Sequence, residues 1–208
     1  MECHRNAATT IGSLSCLCVL LLFSVHLIAC NGARVGPQDS KSTEFIRASC
    51  AATEYPALCF SSLSSYASSI RTSPMQLADV ALSVSLAGAR SASAALSRSV
   101  AGRAMAPRVA AAVKDCLETM GDSVDELRES LAAMRHVAGR NAAYQINSIQ
   151  TWVSAALTDE DTCVDGFASG AMDGEVKNMV RSHVVYVAQL SSNALALVNG
   201  LAASISRP

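Results

Sequence analysis

The chain reads as all-α: an N-terminal helical hairpin followed by an antiparallel up-down-up-down four-helix bundle, held by two disulfides. Three observations predict this. Aromatic residues make up only 4% of the 208 residues, against 50% hydrophobic overall, and runs of Val, Ile, Tyr and Phe that favour strands are nearly absent. Apolar residues recur at three- and four-residue steps through four long segments. Cysteines remain at four positions beyond an apolar leader, and in an oxidising compartment four cysteines suggest two bridges.

Residues 1–33 have the form of a secretory signal, with cleavage expected at about 29–35. Arg5 supplies a sparse positive start, Leu14 to Ala29 is apolar apart from Ser15, Ser24 and His26, and Cys30, Asn31, Gly32 and Ala33 offer small residues to a peptidase. The apolar run is short of the roughly 20 residues a membrane span needs, so no membrane association is expected after cleavage. Four of the eight cysteines, Cys3, Cys16, Cys18 and Cys30, fall in or beside this leader, which leaves Cys50, Cys59, Cys116 and Cys163. Three pairings are open to them, and sequence proximity favours Cys50–Cys59 and Cys116–Cys163.

Residues 34–208 suit one domain with a sizeable core, divided into an extension and hairpin at 34–72 and a bundle at 73–208. The whole chain carries 16 Lys plus Arg against 17 Asp plus Glu, a net charge of −1, and the leader removes one of each sign. Neither a nucleic acid nor a membrane surface is an expected partner of so balanced a chain.

Gly36 to Lys41 reads as a polar lead-in. Phe45, Ile46, Cys50, Tyr55, Pro56, Cys59 and Phe60 follow as a short apolar stretch broken by a proline. Proline is not tolerated deep inside a helix, so the stretch becomes two short helices folded back on each other. A Cys50–Cys59 bridge would staple them, a contribution of roughly 2.5–3 kcal/mol in the chain-entropy model.

Ser73-Pro74-Met75-Gln76 starts the first long helix: Ser73 caps, Pro74 suits the first helical position, and Gln76 can answer as a capping-box partner. Leu77, Val80, Val84, Ala87 and Ser91 form its expected stripe, which fades near Gly102. Pro107 opens the second helix, whose stripe is Val109, Val113, Cys116, Met120, Ser123, Leu127, Leu131 and Met134, ending at Gly139. That near-heptad run is the narrow seam of a bundle helix. The third begins near Asn141 with Ile146, Ile149, Val153, Ala156 and Leu157. Thr158 to Asp161 either restarts a helix or is run through; Phe167 and Gly170 close it. Asp173 caps the fourth, with Met179, His183, Val187, Leu190, Ala194, Leu197 and Leu201 inward.

Enzymatic chemistry finds little footing. His136 sits at a helix end, where a cation suits the terminal carbonyls, and His183 is expected as a packed core residue. No Glu-x-x-His pair supports a di-iron site. Asp159, Asp161, Asp165 and Gly166 follow calcium-loop spacing only faintly, because Cys163 occupies a ligand position and no Glu follows at the right distance. The compact acid group Asp159-Glu160-Asp161 reads instead as a solvated helix start. There is no Gly-x-Ser-x-Gly, phosphate loop or dinucleotide fingerprint, and no Asn-x-Ser/Thr glycosylation site. Neither a catalytic residue nor a cofactor or metal is expected.

Three segments together carry a resemblance: the Cys50…Cys59 pair with Tyr55-Pro56 between, DCLETMGDSVDEL around Cys116, and TWVSAALTDEDTCVDGF from Thr151 to Phe167. The chain resembles the plant invertase/pectin methylesterase inhibitor family over roughly 43–203. The resemblance implies a hairpin preceding a four-helix bundle, disulfides joining first to second and third to fourth cysteine, and export to the cell wall and apoplast. It further implies a monomer when free that forms a reversible, non-covalent 1:1 complex covering its enzyme's substrate cleft. The invertase branch carries a Pro-Lys-Phe element between the second and third bundle helices; AMRHVAGRNAAYQ has none. The resemblance therefore points to pectin methylesterase as the partner, with acid invertase, or no inhibited enzyme, as alternatives. Some relatives precede a catalytic domain; this chain is expected to act in trans. Interface candidates are Asp122, Glu126, Thr151, Trp152, Asp159, Asp161 and Thr162, with Trp152 equally a core filler.

Overall fold

The computed structural model describes residues 37–168 and 174–205. The expected leader, Gly170 as a helix stop and Asp173 as a cap all lie outside those residues. No strand occurs among the described residues.

Within the described residues the N-terminal arm opens as a helix: α1 runs Pro37–Cys50, so the polar stretch expected as a lead-in is helical from Pro37 onward. After a turn at 51–55 the chain doubles back through α2 (Pro56–Leu63), a 3-10 turn (Ser64–Tyr66) and α3 (Ala67–Ile70). Pro56 opens α2, where its missing N–H has no partner to lose. Cys50 is bonded to Cys59 across the fold-back. Arg47 lies 4.0 Å over the Phe60 ring, a second tie between the two arms.

Four long helices follow: α4 (Pro74–Val100), α5 (Pro107–Met134), α6 (Ala142–Asp165) and α7 (Glu175–Ile205). Prolines start α4 and α5, and Ser73 Oγ accepts the Gln76 N–H at 3.3 Å, the helix-capping half of the expected box. The helices form a closed ring in which α4 packs on α5 and α7, and α6 on α5 and α7, as short antiparallel connections require. Between α5 and α6, Gly139 takes φ +56°, a conformation costly to any side chain. At Gly88 of α4 an added Cβ would lie 3.2 Å from Leu190 Cδ1 of α7, so the absence of a side chain sets how closely these helices approach.

The core runs along the bundle axis through Leu82, Leu96, Met120, Leu127, Ile149, Val153, Val180 and Val198, all fully buried; each such side chain contributes roughly 1.5–3 kcal/mol over its exposed state. The α5 seam follows its expected stripe from Val113 to Leu127 and at Met134, with Val109 and Leu131 half-buried. The α4 seam is rotated: Val80 and Val84 are half-buried, Ala87 and Ser91 exposed, while Leu77, Ala78, Ala81, Leu82, Ala89, Ala92 and Leu96 face inward. Small alanines fill the inner face because they let neighbouring helices close up. On α7 the inward residues are Val180 and Val184, not Met179 and His183. His183 is exposed, so it is not a packed core histidine.

The hairpin rests on the bundle through its turn. Asn193 of α7 is buried and clamps the Tyr55 backbone from both sides: Tyr55 N–H donates to Asn193 Oδ1 at 3.1 Å, and Asn193 Nδ2 donates to the Tyr55 carbonyl at 3.1 Å. Ser192 Oγ adds a 3.0 Å bond to Glu54 Oε2.

Candidate functional site: the face shared by α5 and α6

The helix α6 runs unbroken through Thr158 to Asp161, which settles the open question of a restart there. Continuity has a consequence, since successive residues of a helix diverge by about 100°. The three consecutive acids Asp159, Glu160 and Asp161 therefore cannot form one patch.

Asp159 turns toward α5. There it meets Glu126, with Asp122 close enough to act on both. Burial pushes the Glu126 carboxyl up to about 7, and the charge and hydrogen bond of Asp159 and the charge of Asp122 add to the rise. Asp159 is also raised, by burial first, while its bond to Glu126 pulls it back. Glu126 is thus the proton holder of the pair and Asp159 the acceptor. Glu126 Oε2 is shut from solvent without a hydrogen-bond partner.

Asp161 turns the other way. It lines a depression of about 200 Å³ between the hairpin turn, α6 and α7, together with Glu54, Tyr55, Gln189 and Ser192. Burial raises its carboxyl, helped by Asp165 and Glu54. The sequence candidates thus fall into two places, and Asp161 does not share the α5–α6 face.

Glu160 points into the bundle and is completely buried, which corrects the solvated-acid expectation. Its Oε1 accepts bonds from Ser123 Oγ of α5 at 2.8 Å and Ser191 Oγ of α7 at 3.0 Å. The sequence carried two signals of this. Ser123 sits on the α5 stripe, and Ile149, Val153, Ala156, Glu160 and Cys163 continue the α6 stripe at steps of four and three.

The exposed side of α6 is a row of hydroxyls folded onto their own helix. Thr151 Oγ1 donates to the Asn147 carbonyl at 3.0 Å, Thr158 Oγ1 to Ser154 at 2.9 Å, and Thr162 Oγ1 to Thr158 at 2.7 Å. These bonds leave hydroxyl lone pairs outward as acceptors. Trp152 is half-buried and packs against the core. Near the Cys116–Cys163 bond, which joins α5 to α6, lies a depression of about 290 Å³ lined by Arg108, Asp115, Thr119 and Thr162. Asp122 is exposed, and Glu126 and Asp159 are half-buried, where α5 meets α6 beyond that depression. The face is thus a strip rich in carboxyls and hydroxyl acceptors, with Arg108 as a cation at the depression, suited to a protein partner bearing donors and positive charge.

A family model described as plant invertase/pectin methylesterase inhibitor matches residues 44–197. The chain is 44% identical over 186 residues to the "21 kDa protein" of Daucus carota, covering 88% of this chain and 94% of that one. It is likewise 44% identical over 190 residues to Pectinesterase inhibitor 9 of Arabidopsis thaliana, covering 88% and 92%. Among solved structures, mutant form A of a pectin methylesterase inhibitor from Arabidopsis matches with a TM-score of 0.57 over 72% of this chain and 92% of that one, at 23% identity, a likeness of fold. The matched span takes in both disulfides, the hairpin turn and the α5–α6 face, and the chain belongs to the plant invertase/pectin methylesterase inhibitor family.

Proposed function

We propose that this protein inhibits pectin methylesterase through a reversible, non-covalent 1:1 complex in which the α5–α6 face covers the enzyme's substrate cleft. The observation that carries the reading is the 44% identity with a relative named as a pectinesterase inhibitor, over nearly the whole of both chains. The chain is not an enzyme, in keeping with relatives named as inhibitors. The acceptor-rich strip favours an electrostatically guided encounter with a partner surface of opposite charge, in which charges at the rim act mainly on the association rate. Asp122, Glu126, Thr151, Trp152, Asp159 and Thr162 are the residues we assign to the contact, and Asp161 to the flank behind it. The leader at 1–33 directs the chain to secretion and the cell wall, where the remaining residues act as one inhibitor domain, monomeric when free.

The test is titration of the disulfide-intact protein into a plant pectin methylesterase at mildly acidic pH, following methanol release, with acid invertase and sucrose in parallel. Loss of esterase activity saturating near one equivalent supports the reading. Inhibition of invertase alone, or of neither enzyme across several isoforms, refutes it.

A further inference from the structure

Glu160 carries chemistry that the docking face does not use. Its carboxyl is sealed at zero exposure, with both donors, Ser123 and Ser191, on Oε1 and Oε2 without a partner. Two neutral hydroxyls on one oxygen fall well short of what a buried carboxylate needs. The surrounding charges make matters worse. On its own helix Asp159 and Asp161 flank it, both acting to disfavour a negative charge. From α5 the nearest ionisable groups are Asp122 and Glu126, which act on Asp159, and from the hairpin turn Glu54 acts on Asp161. On α7 between Val184 and Asn199 the one ionisable side chain is Tyr186, which is exposed, and on α4 between Val80 and Ala95 it is Arg90, also exposed. A neutral carboxyl costs less at this site than a carboxylate does.

We propose that Glu160 is a proton-operated latch at the junction of α5, α6 and α7. With its proton on, the three helices close over the Ser123–Glu160–Ser191 contact; with its proton lost, the α6 seam must open to hydrate the charge. The direction of the pKa agrees: burial, against the pull of the two serines, holds the carboxyl up at about 7. The sign follows. A group whose native pKa lies above its unfolded value stabilises the fold at acid pH, and that stabilisation is lost as pH rises through the native value. Because α6 also presents Asp159 and Thr162, the latch holds the docking face in shape in an acidic medium and loosens it toward neutrality; this second step rests on the proposed inhibitory function, the first does not.

The experiment is urea unfolding of the disulfide-intact protein, purified from a secretory host, at a series of pH values from about 5 to about 8, for wild type and Glu160→Gln. Over that range the folding equilibrium constant of wild type should fall by about 70-fold more than that of Glu160→Gln, as a native value near 7 and an unfolded value near 4.5 dictate. Equal pH slopes in the two proteins overturn the latch. Should Glu160→Gln not fold, titration of the Glu160 Cδ resonance in wild type decides: a midpoint well above the ordinary carboxylate range supports the latch, and one within it overturns the latch. Pectin methylesterase inhibition over the same pH range separates the two steps. A flattened stability profile with an unchanged inhibition profile removes the link to docking. The stability difference without any inhibition leaves the latch standing and overturns the proposed function.

Discussion

Removing the bond between α5 and α6 should cost more than removing the bond in the hairpin. The perturbation is the double substitution Cys116→Ala with Cys163→Ala, compared with Cys50→Ala with Cys59→Ala. Both half-cystine pairs are buried, so alanine leaves no stranded hydroxyl. The α5–α6 bond spans a sequence separation of 47 and the hairpin bond one of 9. In the chain-entropy model these loops are worth roughly 4 and roughly 2.5 kcal/mol. For a domain of this size 1 kcal/mol moves the thermal midpoint by about 2–4 °C, so the first pair should lower it by roughly 8–16 °C and the second by roughly 5–10 °C. The assay is thermal unfolding followed by helical circular dichroism, at a pH near 5. The α5–α6 variant should also lose inhibition before it unfolds, since Thr162 lies beside Cys163 and the groove opens with the bond. An equal or larger cost for the hairpin pair would refute the assignment of the long loop as the main staple.

Asn193→Leu strands the N–H and carbonyl of Tyr55 that it now satisfies and should cost about 2 kcal/mol; amide exchange should rise first in α1 and α2 with α5 and α6 unaffected. Leu127→Ala, at a fully buried position on the α5 seam, should cost about 3–5 kcal/mol by urea unfolding through lost burial and the cavity left. Glu126→Gln removes the proton holder of the α5–α6 pair. The native carboxyl stands at about 7, above its ordinary 4.5, so wild type loses stability as pH rises through that window and the Gln variant should lose less. Its inhibition profile should flatten over the same range, measured by methanol release; an unchanged profile would place Glu126 outside the contact.

What was legible in the sequence followed from side chains large enough to mark a face. The α5 stripe of Val113, Cys116, Met120 and Leu127 is buried as spaced, because Met and Leu have no comfortable place in water on a bundle helix. Pro56, Pro74 and Pro107 each open a helix, because a fixed φ and a missing N–H leave them no other helical position. The α4 stripe of Leu77, Val80, Val84, Ala87 and Ser91 is displaced by part of a turn, because a helix so rich in alanine and serine has few large side chains to mark its inner face. In close-packed helices alanine takes the inner line, and Val80 and Val84 shift to its edges. Three adjacent carboxyls suggest solvent, but helix phase sends them in three directions and buries the middle one. Asn193 carried no local signal at all; its partner is the Tyr55 backbone, 138 residues away.

That helix phase also explains why one turn of α6 can link the hairpin, the core and the docking face. Asp159 faces Glu126 of α5, Glu160 reaches Ser123 and Ser191, Asp161 faces the hairpin turn, and Cys163, three residues beyond Glu160, is bonded to Cys116. Residues three apart lie on the same side of a helix, so the staple and the buried carboxyl act on one seam. The covalent bond limits how far α6 can move from α5 when Glu160 loses its proton, and the opening must therefore fall on the α6–α7 side, where Ser191 is the only one of the two serines not tethered by that bond. Loss of the staple should remove this asymmetry. In the Cys116→Ala, Cys163→Ala protein, raising the pH should then raise amide exchange in α5 as much as in α7, whereas in the intact protein the rise should be confined to α6 and α7.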